Sequence, residues 1–231
     1  MNDRRLFLHS AATLGLATLA PHLARADDKK EKPAEEVGAT EDLMREHGVL
    51  NRALLIYEEG LQHIRAKKEL PPEVFQKTAT LIRKFVEEYH EKLEENFIFP
   101  EFKKKNKHMD LVAVLLKQHE AGRKLTEVIL RESAPDRFRK EESRKEVAAH
   151  VEAFVRMYRP HEAREDTVLF PALHEVLSPK RIKELGEQFE KEEDRLFGEE
   201  GFEKTVEQVA GIEKQLGIYD LDQFTPKTEQ R

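Results

Sequence analysis

Two histidines each stand four residues ahead of a glutamate: His90 and Glu94 in "HEKLEENFIFP", His161 and Glu165 in "HEAREDTVLFP". Both stretches place Phe nine and Pro ten residues after the histidine, and the second begins 71 residues after the first. Residues at i and i+4 share one helix face. Each pair therefore offers an imidazole nitrogen and a carboxylate oxygen in one direction, a donor set suited to a transition metal. Two further histidines complete a pattern: His47 precedes His90 by 43 residues, and His119 precedes His161 by 42. The chain reads as two copies of a helix pair, with one His from the first helix of each and His-x-x-x-Glu from the second.

A lone histidine on an apolar stripe is usually a hydrogen-bonded core residue. Four at matched positions point instead to a shared ligand. An ionised glutamate buried without a partner costs several kcal/mol, and a cation among the four imidazoles removes that cost. The sequence has no Cys, which excludes disulfides, thiolate ligands and thiol nucleophiles. Any metal must be held by His and carboxylates. Glu95 and Asp166 directly follow the two glutamates. They lie about 100° further round the helix and are expected to be solvated, with Asp166 kept as an alternative ligand to Glu165.

The elements that position these groups follow from periodicity. Leu43, His47, Leu50, Leu54, Tyr57 and Leu61 step by three and four, which draws one stripe on a helix. Similar stripes run from Phe75 through His90 to Phe97, from Leu111 through His119 to Ile129, and from Val147 through His161 to Ala172. Pro71-Pro72 ends the first and starts the second, Ser133-Ala134-Pro135 breaks the third, and Ser178-Pro179 closes the fourth. The expected class is all-α: an antiparallel four-helix bundle over residues 40–177, with two additional C-terminal helices in 178–216 and a tail in 217–231. Thr40 is the expected first cap. Phe99-Pro100 and Phe170-Pro171 are expected to plug one end and to bend or finish their helices.

These residues resemble the hemerythrin-like (HHE cation-binding) family: His47, then His90-x-x-x-Glu94, then His119, then His161-x-x-x-Glu165. The resemblance implies two Fe ions with an oxo or hydroxo bridge, spanned by the two carboxylates. His47 and His90 would serve one iron, His119 and His161 the other. The oxygen-carrying members have a fifth His four residues after the third-helix His, where this chain has Arg123, and His-x-x-x-x-Asp on the last helix. The pattern is closer to members linked to peroxide, nitric oxide or iron handling. The implied ligand is small (O2, H2O2 or NO), and the implied activity is a peroxide- or NO-consuming oxidoreductase. The alternative is a metal- or oxygen-responsive sensor bundle without turnover.

The remaining polar residues are given plainer roles. Glu46, Glu91, Glu120 and Glu162 adjoin ligand histidines in sequence and are assigned to a charged outer surface. Arg123 is expected to point outward, Tyr158 to be a core phenol, His150 a boundary residue, and His63 and His108 solvated. Residues 1–26 read as a cleaved export signal of twin-arginine type, with Arg4-Arg5 ahead of an apolar run and Ala24-Arg25-Ala26 at its end. That places the protein in the periplasm, after a linker over 27–39. The formal charge of −6, more negative once the leader's arginines are removed, disfavours nucleic acid as a partner.

Overall fold

The computed structural model describes residues 37–71 and 73–227. The expected export signal, most of the linker and the last four residues of the tail lie outside them. Among the described residues every regular element is helical and none is a strand. No helix among them is long and apolar enough to cross a membrane.

Helix α1 spans Ala39–Arg65. Helix α2 runs unbroken over residues 74–105, with wide π-type turns at Ile82–His90 and Glu94–Ile98. Helix α3 is Met109–Glu132, and a single turn, Pro135–Phe138, follows it. Helix α4 covers residues 141–176 with a wide turn at Glu165–Leu169. Helices α5 (Pro179–Phe197) and α6 (Gly201–Leu216) complete the set. Glu41 and Asp42 lie in the first turn of α1, where acids complement the helix dipole. Thr40 is not the cap: the boundary falls at Gly38, whose carbonyl receives the Asp42 N–H at 2.9 Å. Ser178 does cap α5, accepting from the Arg181 N–H at 3.3 Å. Asn106, in the left-handed region at φ 52°, ends α2, and Gly217 at φ 74° ends α6.

The two Phe-Pro pairs do not finish their helices. Proline has no N–H, and its ring crowds the carbonyl four residues back. In both copies the preceding Phe bonds five residues back instead: Phe99 N–H to the Glu94 carbonyl and Phe170 N–H to the Glu165 carbonyl. The widened turn makes room for the proline, and the helix continues to Lys105 and Val176. The wide turns that precede the two prolines each begin at the glutamate of a His-x-x-x-Glu motif.

Helix α1 packs against α2 and α4, α2 against α3, and α3 against α4. Helices α5 and α6 lie against α1, and α6 also touches α2. The stripes supply the core: Leu43, Leu50, Leu54 and Tyr57 of α1, Phe75 and Ile82 of α2, Ile129 of α3, and Val147 and Phe154 of α4. Ile182, Leu185 and Phe189 of α5 join it, whereas Leu196 remains exposed.

Glycine is required where α1 meets α2. A Cβ at Gly60 would lie 2.7 Å from Cζ of Phe75, a buried ring held between Tyr57 and Phe138. Gly60→Ala is expected to cost about 1–3 kcal/mol through overpacking. Gly48 has nothing within 4 Å of its would-be Cβ, so Gly48→Ala should stabilise the helix by about 0.5–1 kcal/mol. Denaturant unfolding of both variants checks the opposite signs.

Candidate metal centre

The four motif histidines converge from four helices. The Nε2 atoms of His47 and His90 lie 3.0 Å apart, and those of His119 and His161 3.3 Å apart. Oε2 of Glu94 is 3.8 Å from His90 Nε2 and 3.4 Å from His119 Nε2. Oε2 of Glu165 is 3.1 Å from His161 Nε2 and 3.5 Å from His47 Nε2. Each carboxylate thus reaches one histidine of its own repeat and one of the other. His47, His90 and Glu94 form one cluster of potential ligand atoms, and His119, His161 and Glu165 form another.

Glu94 and Glu165 are both 0 % exposed, and none of their four carboxylate oxygens has a hydrogen-bond partner. Protein interiors rarely tolerate such groups. A donor set of imidazole nitrogens and carboxylate oxygens fits iron, among the divalent transition metals. The residues present therefore fit a metal centre.

The outward nitrogens fix the rings. His47 Nδ1 lies 2.8 Å from Asp166 Oδ1 and His119 Nδ1 3.1 Å from Glu95 Oε1. His90 Nδ1 lies 2.6 Å from Glu46 Oε2 and His161 Nδ1 2.9 Å from Gln118 Oε1. All four partners are oxygen acceptors. In the tautomer in which Nδ1 donates to these oxygens, Nε2 is left as a lone-pair donor at the centre. Phe170 stacks on His47 at 5.5 Å and Phe99 on His119 at 5.6 Å. Each phenylalanine of a Phe-Pro pair thus packs against a ring of the opposite repeat.

Several sequence expectations are overturned here. Asp166 faces the outward nitrogen of His47, so it orients that ring rather than taking the place of Glu165. Glu95 does the same for His119 and is not merely solvated. Glu46, Glu91 and Glu162 are buried rather than part of an outer surface; Glu120 is exposed. The face of α1 that carries Glu46 is covered because α5 and α6 pack on that helix. Arg123 points inward, donating to Glu91 Oε2 and Glu95 Oε1 at 2.6 Å each. The Tyr158 hydroxyl donates to Glu91 Oε1 at 2.6 Å. That approach requires Gly122, where a Cβ would lie 2.0 Å from the hydroxyl oxygen. A glycine on a buried helical stripe was the available signal for this contact. His150 and His63 bond to the backbone carbonyls of Glu146 and Glu69, and His108 sits at the start of α3. None of the three enters the centre.

The electrostatics differ from ring to ring: burial acts downward on His47, but the hydrogen bond to Asp166 and the charge of Glu165 more than offset it and raise its pKa. Burial, reinforced by the neighbouring charges of the other three histidines, holds His90 well below the ordinary imidazole range. Burial also lowers His119, against the pull of Glu95. Both rings are therefore neutral at pH 7. Burial drives Glu94 well above the carboxylate range, and the charge of Glu165 adds to it. Burial acts upward on Glu165 too, but His161, His47 and His119 more than offset it. Burial pushes Glu91 up to about 8, opposed by the Arg123 guanidinium and the Tyr158 hydroxyl.

Residues 38–136 match the family model described as the hemerythrin HHE cation binding domain. The match covers α1 to α3 and ends before α4, which supplies His161 and Glu165. An uncharacterized protein of Mycobacterium tuberculosis is 44% identical over 96% of this chain and 90% of its own length. An uncharacterized protein of Mycobacterium bovis matches to the same extent. No solved structure matches the chain.

The orphaned oxygens give a prediction about stability. With iron(II) present, the wild-type melting temperature should rise, because binding to the native state alone adds stability. The double variant Glu94→Gln, Glu165→Gln should show no such rise. In EDTA it should be more stable than wild type by about 1–3 kcal/mol, the scale of an unsatisfied buried group. Thermal melts of both proteins in both conditions check the crossing.

Proposed function

The chain belongs to one family with these mycobacterial proteins and carries a hemerythrin HHE cation-binding domain, and from that premise we propose that it is a non-haem di-iron protein that binds or reduces a small oxidant, peroxide before O2 or NO. The observation that carries this reading is the pair of buried glutamates, with four partnerless oxygens set among four convergent Nε2 atoms. We read α1 to α4 as an antiparallel four-helix bundle, with α5 and α6 as additions to it. His47 and His90 would hold one iron, His119 and His161 the other, and Glu94 and Glu165 would span the two, with an oxo or hydroxo group completing the bridge. When bound, the iron pair would supply a redox centre able to exchange electrons with the small ligand.

The chain's own residues set the conditions for that chemistry. The four Nδ1 donations hold each ring in one tautomer and one orientation. The two repeats are not equivalent: His90 donates to the Glu46 carboxyl group, whereas His161 donates to the neutral amide of Gln118. An ionised Glu46 would make His90 the more strongly donating imidazole. No fifth histidine follows His119. Arg123 occupies that place and is committed to Glu91 and Glu95, so it holds the Glu95 that orients His119. The ligand count thus keeps room for a small molecule, and low exposure of all six residues limits access by water.

A second reading has its own support. Helices α5 and α6 pack on α1, next to Glu46, where a partner or a change of shape would reach His90. This favours a metal- or oxygen-responsive protein without turnover, and steady-state kinetics separates the two. The leader-like residues 1–26 support an exported, periplasmic setting for either.

The iron-loaded protein should consume H2O2 catalytically, and Glu94→Gln should abolish this together with the near-ultraviolet charge-transfer absorption. Peroxide loss and absorption spectra are measured before and after dithionite and O2. A long-lived oxygenated form that releases O2 under vacuum, with no peroxide turnover, would contradict the favoured reading.

A further inference from the structure

A cavity of about 790 Å³ opens where α6 and the end of α5 meet α2. Pockets of this size hold small molecules, with apolar and aromatic walls and a few polar side chains that fix orientation. Here the walls are Leu81 and Phe85 of α2, Phe197 of α5 and Ile212 of α6, and Thr80 and Gln208 supply a hydroxyl and an amide. Gly211 leaves a gap in the α6 wall, since nothing lies within 4 Å of its would-be Cβ. A glycine inside a helix costs about 0.5–1 kcal/mol relative to alanine, and no close packing contact calls for this one. Lys84 stands exposed at the rim. It has no hydrogen bond or ion pair among the described residues, although Glu88 lies one turn on at the same rim.

Rings join this cavity to the candidate metal centre. Phe85 and Phe197 both touch Tyr89, at 5.6 and 5.4 Å between ring centroids, and touch each other at 5.8 Å. Tyr89 is buried, and its hydroxyl interacts with the Glu46 carboxyl group. Oε2 of Glu46 lies 2.6 Å from His90 Nδ1. Two walls of the cavity are therefore one ring away from the carboxyl group that orients His90.

We propose that the cavity binds a hydroquinone and that Phe85, Phe197 and Tyr89 carry its electrons toward the centre, an inference that rests on the di-iron reading. A flat aromatic body suits the rings of Phe85 and Phe197, and its two oxygens suit Thr80 and Gln208. The Lys84 ammonium favours the ionised phenol, the form that gives up electrons more readily. Loss of two electrons and two protons converts the hydroquinone to the quinone. The protons pass to water at the rim, and the two electrons take the two irons from ferric to ferrous. Reduction of one H2O2 to two H2O consumes two electrons and two protons, so one hydroquinone matches one peroxide.

Menadione titrated calorimetrically into the metal-free full chain should bind at one site. Gly211→Phe, which fills the gap in the α6 wall, should weaken that binding by about tenfold or more, with an unchanged circular dichroism spectrum. Menadiol added anaerobically to the ferric protein should bleach its charge-transfer absorption. That bleaching should be about tenfold slower in Gly211→Phe and severalfold slower in Lys84→Gln, an exposed position whose change leaves the core intact. Dithionite, which needs no site, should bleach all three proteins equally. The calorimetry requires no iron, so its outcome is separate from the di-iron reading. No menadione binding, equal binding in Gly211→Phe, or equal menadiol rates in wild type and both variants overturns the proposal. Binding of dodecanoate in place of menadione would assign the cavity to an amphiphilic acid and overturn it as well. Iron that dithionite leaves unreduced overturns the di-iron reading, and the electron path with it.

Discussion

Two carboxylates, Glu94 and Glu165, are buried side by side with no hydrogen-bond partner for their oxygens, and the surrounding fold is organised around that demand. An isolated buried carboxylate is among the most expensive groups a core can contain. Two adjacent ones repel as well. The chain surrounds them with four imidazoles, all presenting Nε2. A salt bridge would satisfy the glutamates permanently and close the site. Imidazole nitrogens leave the charge open to a cation that can be gained and lost.

Holding four rings in that orientation takes one hydrogen bond per ring, and these bonds run between helices. His47 of α1 donates to Asp166 of α4, and His161 of α4 to Gln118 of α3. His119 of α3 donates to Glu95 of α2, and His90 of α2 to Glu46 of α1. The four bonds form a closed circuit of helices, in the order in which the helices pack. Removing one acceptor would free a ring to turn and also loosen a helix contact. The wide turns act in the same direction. Glu94 and Glu165 each accept a bond from the residue five along, so each motif glutamate begins a segment whose pitch is altered by the proline beyond it.

Much of this was legible in the sequence, because the signals were periodic and doubled. Apolar stripes at helical spacing gave the four long helices, and the repeated His-x-x-x-Glu gave the inward face of two of them. What escaped was the outer ring. Glu46, Glu91 and Glu162 each sit about 100° from a motif histidine, which in an isolated amphipathic helix is the solvent side. Their burial depends on neighbours that periodicity within one helix cannot reveal: α5 and α6 over α1, and Arg123 and Tyr158 around Glu91. Asp166 and Glu95 were misjudged for a related reason, since their partners lie 119 and 24 residues away. The fourth stripe already ran past Pro171 to Ala172, but the persistence of α2 past Pro100 was hidden, because a proline signals a break unless the turn before it is known to widen.

The central claim is that the two carboxylates and four imidazoles hold a pair of irons. Iron K-edge X-ray absorption of the purified protein tests it most directly. The account predicts a first shell of nitrogen and oxygen with the multiple-scattering signature of imidazole, and a second iron at about 3.5–4 Å or closer, as in two-metal sites. A single isolated iron, or iron with no imidazole in its first shell, would contradict it.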